Sequence, residues 1–181
     1  TLRRSSAASD VYKRQLSRMV SQKQINGDNI KSYEEVMEES YRMYINNHKK
    51  VWAKFFEILL RSNNRPIIFH CSAGKDRTGI ASFMIQSIFN NHIDKIFENY
   101  LISNNLLTIK AATAEQKTNS SKEDTLVTKN MLITLGKVKK SYLNAAIDEI
   151  EKNYSSLENY LISQLGLKHN DIQNIQQIFG N

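Results

Sequence analysis

The chain has 181 residues, of which 40% are hydrophobic and 24% charged, a composition that excludes an intrinsically disordered protein and suits one globular domain. Its formal net charge of +7 favours an anionic ligand, although lysines also serve simply to keep a surface hydrated. The basic residues are not interleaved with aromatic residues as in single-strand binders, so nucleic acid is discounted as a partner, and no apolar run reaches the roughly 20 residues of a membrane span.

The first 15 residues, TLRRSSAASDVYKRQ, differ in composition from the rest of the chain. They are rich in Ser, Ala and Arg and have no sustained apolar period, so we interpret 1–15 as adapter-derived sequence or a native disordered arm. The predicted domain therefore occupies 16–181. Residues 16–30 are polar and end in Asn-Gly-Asp-Asn, a turn signal.

A long amphipathic helix is predicted from residue 32 to about residue 62. Ser32 and Glu35 have the spacing of a capping box at its start. Apolar residues then recur at helical spacing and define one face: Met37, Tyr41, Tyr44, Val51, Trp52, Phe55 and Leu59. The polar stretch NNHKK at 46–50 indicates either a break in the helix or a solvated face.

A short apolar strand, a tight loop and a second helix are predicted next. The apolar β-formers at 67–69 lie between a proline and a Gly-containing loop, a pattern typical of a buried, central parallel strand at 66–70. Helical periodicity resumes at Arg77. A strand–loop–helix arrangement of this kind directs backbone N–H groups towards an anion.

The remainder of the chain is predicted to be helical apart from one polar stretch. Helices are expected at 94–109, 125–135, 139–153, 155–165 and 169–179, with Gly166 as a C-terminal cap before the last of them. Residues 111–125 are rich in Ser, Thr, Lys and Glu, so they are interpreted as a loop or a poorly ordered insertion.

The loop at 70–79 has the sequence HCSAGKDRTG. Cys71 and Arg77 enclose five residues. A loop of that length can curl so that the N–H groups of Ser72, Ala73 and the residues after them converge on one substrate anion, and the adjoining helix start adds positive potential. A phosphate bound there would lie directly over the sulfur of Cys71.

The predicted nucleophile is Cys71, the single cysteine of the chain. Cations and a helix N-terminus lower the pKa of a thiol below roughly 8.5, so a thiolate that attacks phosphorus is expected; the alternative is an inert buried thiol. Arg77 presents a planar fork that can hold two phosphate oxygens and stabilise transition-state charge. As a plain surface cation at a helix start it would be unfavourably placed, which supports the functional interpretation.

The neighbouring loop residues have predicted binding and supporting roles. Gly74 permits a positive φ or a close approach to the ligand, and Gly79 permits close packing of the helix. Thr78 is predicted either to donate its hydroxyl to the thiolate or to cap the helix. His70 is predicted either to orient the loop and hold the thiolate or to be an ordinary imidazole at a strand end.

Lys75 and Asp76 are the most informative pair of the loop. Lys75 is predicted to add a second cation at the mouth of the site, which suits highly charged substrates. Asp76 is predicted to be a catalytic general acid for the leaving oxygen. Two alternatives for Asp76 are a hydrogen bond into the loop and a helix N-cap.

Two other kinds of site do not fit the sequence. A Walker A loop requires Ser or Thr after Gly-Lys, where this chain has Asp76, and an earlier Gly where it has Phe69. One cysteine and four scattered histidines provide no pair of ligands at zinc-binding spacing, so no metal site is expected.

The loop sequence HCSAGKDRTG resembles the signature of protein tyrosine phosphatases, and its GKDRTG form is similar to that of the bacterial and fungal group called tyrosine phosphatase family 3. The segment IFENYLISNNLL at 96–107 resembles the family's sequence after the active-site helix. SYLNAAIDEIEKNYSSLENYLISQLGL at 141–167 resembles its C-terminal helices. The resemblance extends over about 32–180.

This resemblance implies an α/β, cysteine-phosphatase-like fold with no metal or organic cofactor, with Cys71 as nucleophile and Arg77 as phosphate ligand. It also implies that Lys75 and Asp76 tune the choice of substrate. Family members have upstream strands and an Asp-Leu-Arg strand motif that this chain does not show. The domain would then be the C-terminal two-thirds of a phosphatase, a mostly helical fragment around the strand at 66–70. A lone strand cannot satisfy its own backbone groups in a core, which puts the fragment's stability and activity in question.

The predicted function is hydrolysis of phosphomonoesters through a phosphocysteine intermediate, with phosphotyrosine protein or phosphoinositide as the substrate. The alternative is a catalytically silent phosphatase-like module that binds such phosphorylated partners, and the intact Cys71 and Arg77 argue against it. The expected location is cytoplasmic or secreted.

Overall fold

The computed structural model describes residues 33–63, 65–114 and 136–180, and for 106–114 it describes the backbone only. Within these ranges the regular elements are all helices: α1 Tyr33–Asn47, α2 Lys49–Arg61, α3 Asp76–Ile88, α4 Ile93–Ala114, α5 Lys140–Tyr154, α6 Leu157–Ser163 and α7 His169–Phe179. Buried side chains from every one of these helices meet in a single apolar core.

The helix predicted at the start of the domain is divided in two at His48. The carbonyl oxygen of His48 accepts hydrogen bonds from the N–H groups of Val51 and Trp52, at 2.9 and 3.0 Å, and these bonds begin α2. Of the two alternatives for 46–50, the break is therefore correct. Trp52 is buried as its helical spacing predicts, whereas Val51 is 60% exposed.

The structure corrects the predicted central strand, because residues 65–70 form no regular element. Phe69 is half-buried and packs edge-on against Phe55, with 5.2 Å between ring centroids. Ile68, by contrast, is 93% exposed. A strand requires a neighbouring backbone with which to exchange hydrogen bonds, and no extended neighbour lies among the described residues. The described part of the chain is therefore helical. This agrees with the prediction of a mostly helical domain, whereas the predicted strand is not present.

Helix α3 runs from the end of the candidate loop through the core. Ile80 and Met84 on this helix are completely buried. The helix packs against α4, α5, α6 and α7. Its first turn includes a hydrogen bond from the N–H of Gly79 to the carbonyl oxygen of Lys75, at 2.8 Å. The core thus fixes the helix on which the second half of the loop is mounted.

Asn104 in α4 holds the segment that precedes α5. Its Nδ2 donates to the carbonyl oxygen of Val138 at 2.9 Å, and its Oδ1 accepts from the N–H of Val138 at 2.8 Å. Residues 111–114 belong to α4, so the loop predicted at 111–125 is wrong for these four residues. The rest of that predicted loop and the helix predicted at 125–135 lie outside the described residues.

The C-terminal helices α5, α6 and α7 occupy nearly the ranges that the sequence predicts. Gly166 has a φ of +76°, a conformation that favours glycine, and its N–H donates to the carbonyl oxygen of Ile162 at 3.2 Å. The N–H of Leu167 similarly donates to the carbonyl oxygen of Leu161 at 3.1 Å. The C-cap of α6 is Gln164, so Gly166 follows the cap by two residues and supplies the left-handed conformation after the helix. The predicted division between 1–15 and 16–181 lies outside the described residues and stays a prediction.

Candidate active site

The loop with the predicted nucleophile connects the irregular segment at 65–70 to α3. Cys71 is half-buried, whereas Ser72, Ala73 and Gly74 are exposed to solvent. Gly74 has a φ of +69°, which residues with a side chain rarely adopt. The chain therefore turns sharply after Cys71, and the turn depends on glycine.

Hydrogen-bond donors of the loop converge on the sulfur of Cys71. Burial alone raises the pKa of this thiol, but hydrogen bonds from the Thr78 hydroxyl and from the backbone N–H groups of Thr78, Gly74 and Lys75 lower it, and the net shift is downward. Donors that point at a sulfur stabilise its anionic form. The loop therefore favours the nucleophilic thiolate.

The hydroxyl of Thr78 lies between two atoms of Cys71. Its Oγ1 accepts a hydrogen bond from the N–H of Cys71 at 3.0 Å, while the hydroxyl also hydrogen-bonds the sulfur. One side chain from the first turn of α3 thus fixes both the backbone and the thiol of Cys71. This placement fits the predicted donation to the thiolate better than the alternative role of helix cap.

The guanidinium of Arg77 lies over the ring of Tyr44 in α1, with 6.0 Å from Cζ to the ring centroid. The ring of His48 packs edge-on against the same tyrosine at 5.3 Å. Burial, and then the charge of Arg77, lower the pKa of His48, so the imidazole next to the guanidinium favours its neutral form. Arg77 forms no ion pair with a carboxylate of any described residue. Its charge is therefore open to an external anion as far as the described residues are concerned.

The side chains of Lys75 and Asp76 lie inside the protein, each residue being 4% exposed. Lys75 Nζ is 2.7 Å from Asp76 Oδ1, and the hydroxyl of Tyr41 donates to the same oxygen at 2.9 Å. The position predicted for Lys75, at the mouth of the site, is therefore wrong, because its ammonium has a buried partner. Asp76 is the first residue of α3 and not its N-cap, which is Lys75. Of the alternatives for Asp76, the hydrogen bond into the loop is the one present.

His70 and Gly79 flank the loop in different environments. His70 is exposed, and its Nδ1 lies 3.2 Å from the carbonyl oxygen of Cys71, so the ring contacts the backbone next to the thiol. Gly79 packs against Tyr100 so closely that a Cβ there would lie 2.7 Å from two atoms of the ring. The close approach predicted for Gly79 is therefore present, and its partner is an aromatic residue of α4.

Four aromatic residues beside the loop were not predicted as part of the site. Tyr41 and Tyr44 were placed only on the apolar face of a helix, and His48 only in a polar stretch. Tyr100 lies in the helix predicted at 94–109 without a predicted role, and its hydroxyl lies 2.6 Å from that of Tyr41. The one available signal was chemical: a buried tyrosine hydroxyl needs a hydrogen-bond partner.

No group of three His, Cys, Asp or Glu side chains is placed to hold a metal ion within 33–63, 65–114 and 136–180. Across the same ranges, none of the helices combines the length and the apolar character that a membrane span requires.

Comparison with known proteins gives a consistent family. The profile described as "Tyrosine phosphatase family" matches residues 5–180. A protein of Cupriavidus necator named as a tyrosine-protein phosphatase is 30% identical over 125 residues, which cover 69% of this chain and 44% of that protein. The triple specificity protein phosphatase PtpB of Mycobacterium tuberculosis is 32% identical over 133 residues, or 69% and 48% of the two chains. The inositol diphosphatase SIW14 of Saccharomyces cerevisiae is 34% identical over 71 residues, or 39% and 25%.

The first two of these matches span about half the length of the relatives concerned. The family profile, in contrast, extends over nearly the whole of this chain, including the loop from Cys71 to Arg77. This chain belongs to the tyrosine phosphatase family.

Proposed function

We propose that the protein hydrolyses phosphomonoesters through a phosphocysteine intermediate formed on Cys71. The observation that carries this proposal is the geometry of the loop, in which Gly74 turns the chain with a φ of +69° and the N–H of Cys71 donates to Thr78 Oγ1 at 3.0 Å. Hydrogen bonds from Thr78, Gly74 and Lys75 lower the pKa of the thiol in this loop. A thiolate is the nucleophilic form of cysteine, and donors that surround it also suit the oxygens of a bound phosphate.

In the proposed first step, the thiolate attacks phosphorus while the bond from phosphorus to the leaving oxygen breaks, and that oxygen takes up a proton. Arg77 holds two of the non-bridging oxygens, since its planar fork matches their spacing. In the second step, water attacks phosphorus, the bond to sulfur breaks, and inorganic phosphate leaves. The Thr78 hydroxyl stabilises the thiolate that is released.

The proposed substrates are phosphotyrosine proteins or phosphoinositides. Relatives named as protein phosphatases support the first class, and a relative named as an inositol diphosphatase supports a phosphorylated inositol ring as the group recognised in the second. Ser72, Ala73 and Gly74 are exposed, so this part of the loop is accessible to a large substrate. A direct comparison of a phosphotyrosine peptide, a phosphoserine peptide and a phosphoinositide at equal concentration would rank the three. Equal and slow hydrolysis of all three would contradict a preference for either proposed class.

The test of the proposed chemistry is hydrolysis of an aryl phosphate with a good leaving group, because such a group departs as an anion and needs no general acid. The 181-residue chain should release inorganic phosphate, and Cys71→Ser should abolish the release. Arg77→Lys, which keeps the charge but loses the fork, should lower kcat/KM by about a hundredfold or more. Turnover that survives in Cys71→Ser would overturn the mechanism.

The second candidate is a silent module that binds phosphorylated partners, and the same preparation distinguishes it. Phosphate or phosphopeptide binding that depends on Arg77, in a folded protein without turnover, would favour the module. The lowered pKa of Cys71 favours the enzyme, because a binding module gains nothing from a thiolate that repels an anion.

A further inference from the structure

A chain of buried polar contacts lies directly beneath the candidate loop. The ammonium of Lys75 and the hydroxyl of Tyr41 both donate to Oδ1 of Asp76, at 2.7 and 2.9 Å. The hydroxyl of Tyr41 also lies 2.6 Å from that of Tyr100. We infer that this buried network positions the loop on the sulfur of Cys71, so that Asp76, Tyr41 and Tyr100 are positioning residues. The inference rests on the proposed function for its catalytic meaning.

The network links three separated parts of the chain to one residue of the loop. Tyr41 comes from α1, Tyr100 from α4 and Asp76 from the start of α3. Burial raises the pKa of Tyr41 and of Tyr100, so both phenols keep their protons and remain hydrogen-bond donors. Lys75 Nζ additionally lies 3.4 Å from the carbonyl oxygen of Lys137, in the segment before α5. The side chain of Lys75 is therefore held from several directions.

The connection from this network to the reactive sulfur is short. The N–H of Cys71 donates to Oγ1 of Thr78, three residues after Lys75, at 3.0 Å. Hydrogen bonds from the backbone N–H groups of Lys75 and Gly74 contribute to the lowered pKa of Cys71. The carbonyl oxygen of Lys75 accepts from Gly79 in the first turn of α3. Because the side chain and the carbonyl of Lys75 are both fixed, its N–H has little freedom to turn away from the sulfur.

Removing the carboxylate of Asp76 would release this arrangement. A buried ammonium without its partner is strongly unfavourable, so Lys75 would leave the core for solvent and carry its backbone with it. The donors from Lys75 and Gly74 would then lose their alignment with the sulfur. The thiol pKa would rise, since those donors lower it.

The same geometry argues against Asp76 as the proton donor to the leaving group. A general acid has to come within hydrogen-bond reach of the leaving oxygen in a plausible substrate pose. The Oδ1 atom of Asp76 instead accepts from Lys75 and Tyr41, and the residue is 4% exposed. Its carboxylate acts on the reaction through Lys75.

Alkylation by iodoacetamide measures the reactivity of the Cys71 thiol and does not depend on catalytic turnover. The signal is specific to Cys71 because the full chain has a single cysteine. The rate against pH gives the apparent pKa of the thiol. Asp76→Asn and Tyr41→Phe should move the midpoint to higher pH and slow alkylation at pH 7 by about threefold or more. Tyr100→Phe should shift it in the same direction by a smaller amount, since its contact is one step further from Lys75.

Tyr160→Phe is the matched control, because the hydroxyl of Tyr160 is also buried and donates to the carbonyl oxygen of Ile45 at 2.8 Å, outside the network. It should lower the thermal midpoint much as Tyr41→Phe does, yet leave the alkylation profile unchanged. Wild-type alkylation profiles in folded Asp76→Asn and Tyr41→Phe would overturn the inference. If Asp76→Asn fails to fold, Tyr41→Phe alone decides, since it removes one hydroxyl and no charge.

Two further outcomes separate this inference from the proposed function. If the wild-type chain has no phosphatase activity but the profiles shift as expected, the network positions the loop and the proposed function fails. If Asp76→Asn keeps the wild-type alkylation profile and aryl phosphate turnover but loses activity towards phosphates with poor leaving groups, then Asp76 is a general acid and the inference is wrong.

Discussion

Arg77 illustrates how a charged residue of the site depends on a side chain far away in sequence. Its guanidinium lies over the ring of Tyr44, which restricts where the fork can point. The ring of Tyr44 is itself packed against His48. At the scale of single residues, the loop supplies the cation Arg77. Helix α1, which is distant from the loop in sequence, supports that cation through the ring of Tyr44.

Replacing Tyr44 with leucine should weaken phosphate binding more than it slows chemistry. A cation–π contact at a partly exposed site contributes about 0.5–1 kcal/mol, which corresponds to about a two- to fivefold rise in KM for an aryl phosphate. Tyr44→Phe keeps the ring and should remain within about twofold of the wild type. Steady-state kinetics of the two variants would test this, and equal KM values for Tyr44→Leu and Tyr44→Phe would contradict a role of the ring.

Removing the hydroxyl of Thr78 should shift the pH dependence of the reaction. The hydrogen bond from this hydroxyl lowers the pKa of Cys71, so without it the thiolate forms only at higher pH. In Thr78→Val, the acidic limb of kcat/KM should therefore move to higher pH, with the largest loss of activity below neutrality. Thr78→Ser retains the hydroxyl and should keep the wild-type limb. A limb that stays in place in Thr78→Val would show that the hydroxyl does not act on the thiol.

At the scale of elements, the sequence predicts most of the described helices, but it also predicts a strand at 66–70 that the structure does not contain. The apolar period of α3 and the glycine after α6 are local signals, and both lead to the observed elements. The apolar run at 67–69 carries the local signal of a strand, but a strand exists only if another backbone pairs with it. No described residue forms a strand that could pair with 67–69, and Ile68 is 93% exposed.

The contact of α3 with α4 leads to a prediction for Gly79. A methyl group there would lie 2.7 Å from two ring atoms of Tyr100, which is itself buried and held by Tyr41. Gly79→Ala should therefore destabilise the protein by about 1–3 kcal/mol through overpacking, despite the better helix propensity of alanine. Urea unfolding would measure it, with Ser82→Ala on the same helix as a control expected to be near neutral. Stabilisation by Gly79→Ala would show that Tyr100 can move freely.

At the scale of the whole molecule, the parts of the site that the sequence can suggest are those that lie close together along the chain. Cys71 and Arg77 could be proposed together because they lie in one loop of the required length. Tyr41 contacts Asp76 of that loop from 35 residues away, and Tyr100 contacts Tyr41 across a separation of 59 residues. A single sequence can indicate that a buried tyrosine hydroxyl needs a partner, but it does not say which residue the partner is. The sequence therefore places Lys75 at the mouth of the site, whereas its ammonium is paired with Asp76 inside the protein.

Because the described helices share one core, a destabilising substitution far from the loop should affect the site only by unfolding the whole protein. Met84 is completely buried in α3, so Met84→Ala should cost about 2–5 kcal/mol and lower the denaturation midpoint accordingly. Val51 is 60% exposed, and Val51→Ala should change stability by less than about 0.5 kcal/mol. Since every described helix contributes to the same core, helical signal and the lowered pKa of Cys71, measured by alkylation, should be lost in one transition. Two separate transitions in Met84→Ala would mean that the loop and the distal helices are independent units, and the positioning of Cys71 would then have to be explained by α1, α3 and α4 alone.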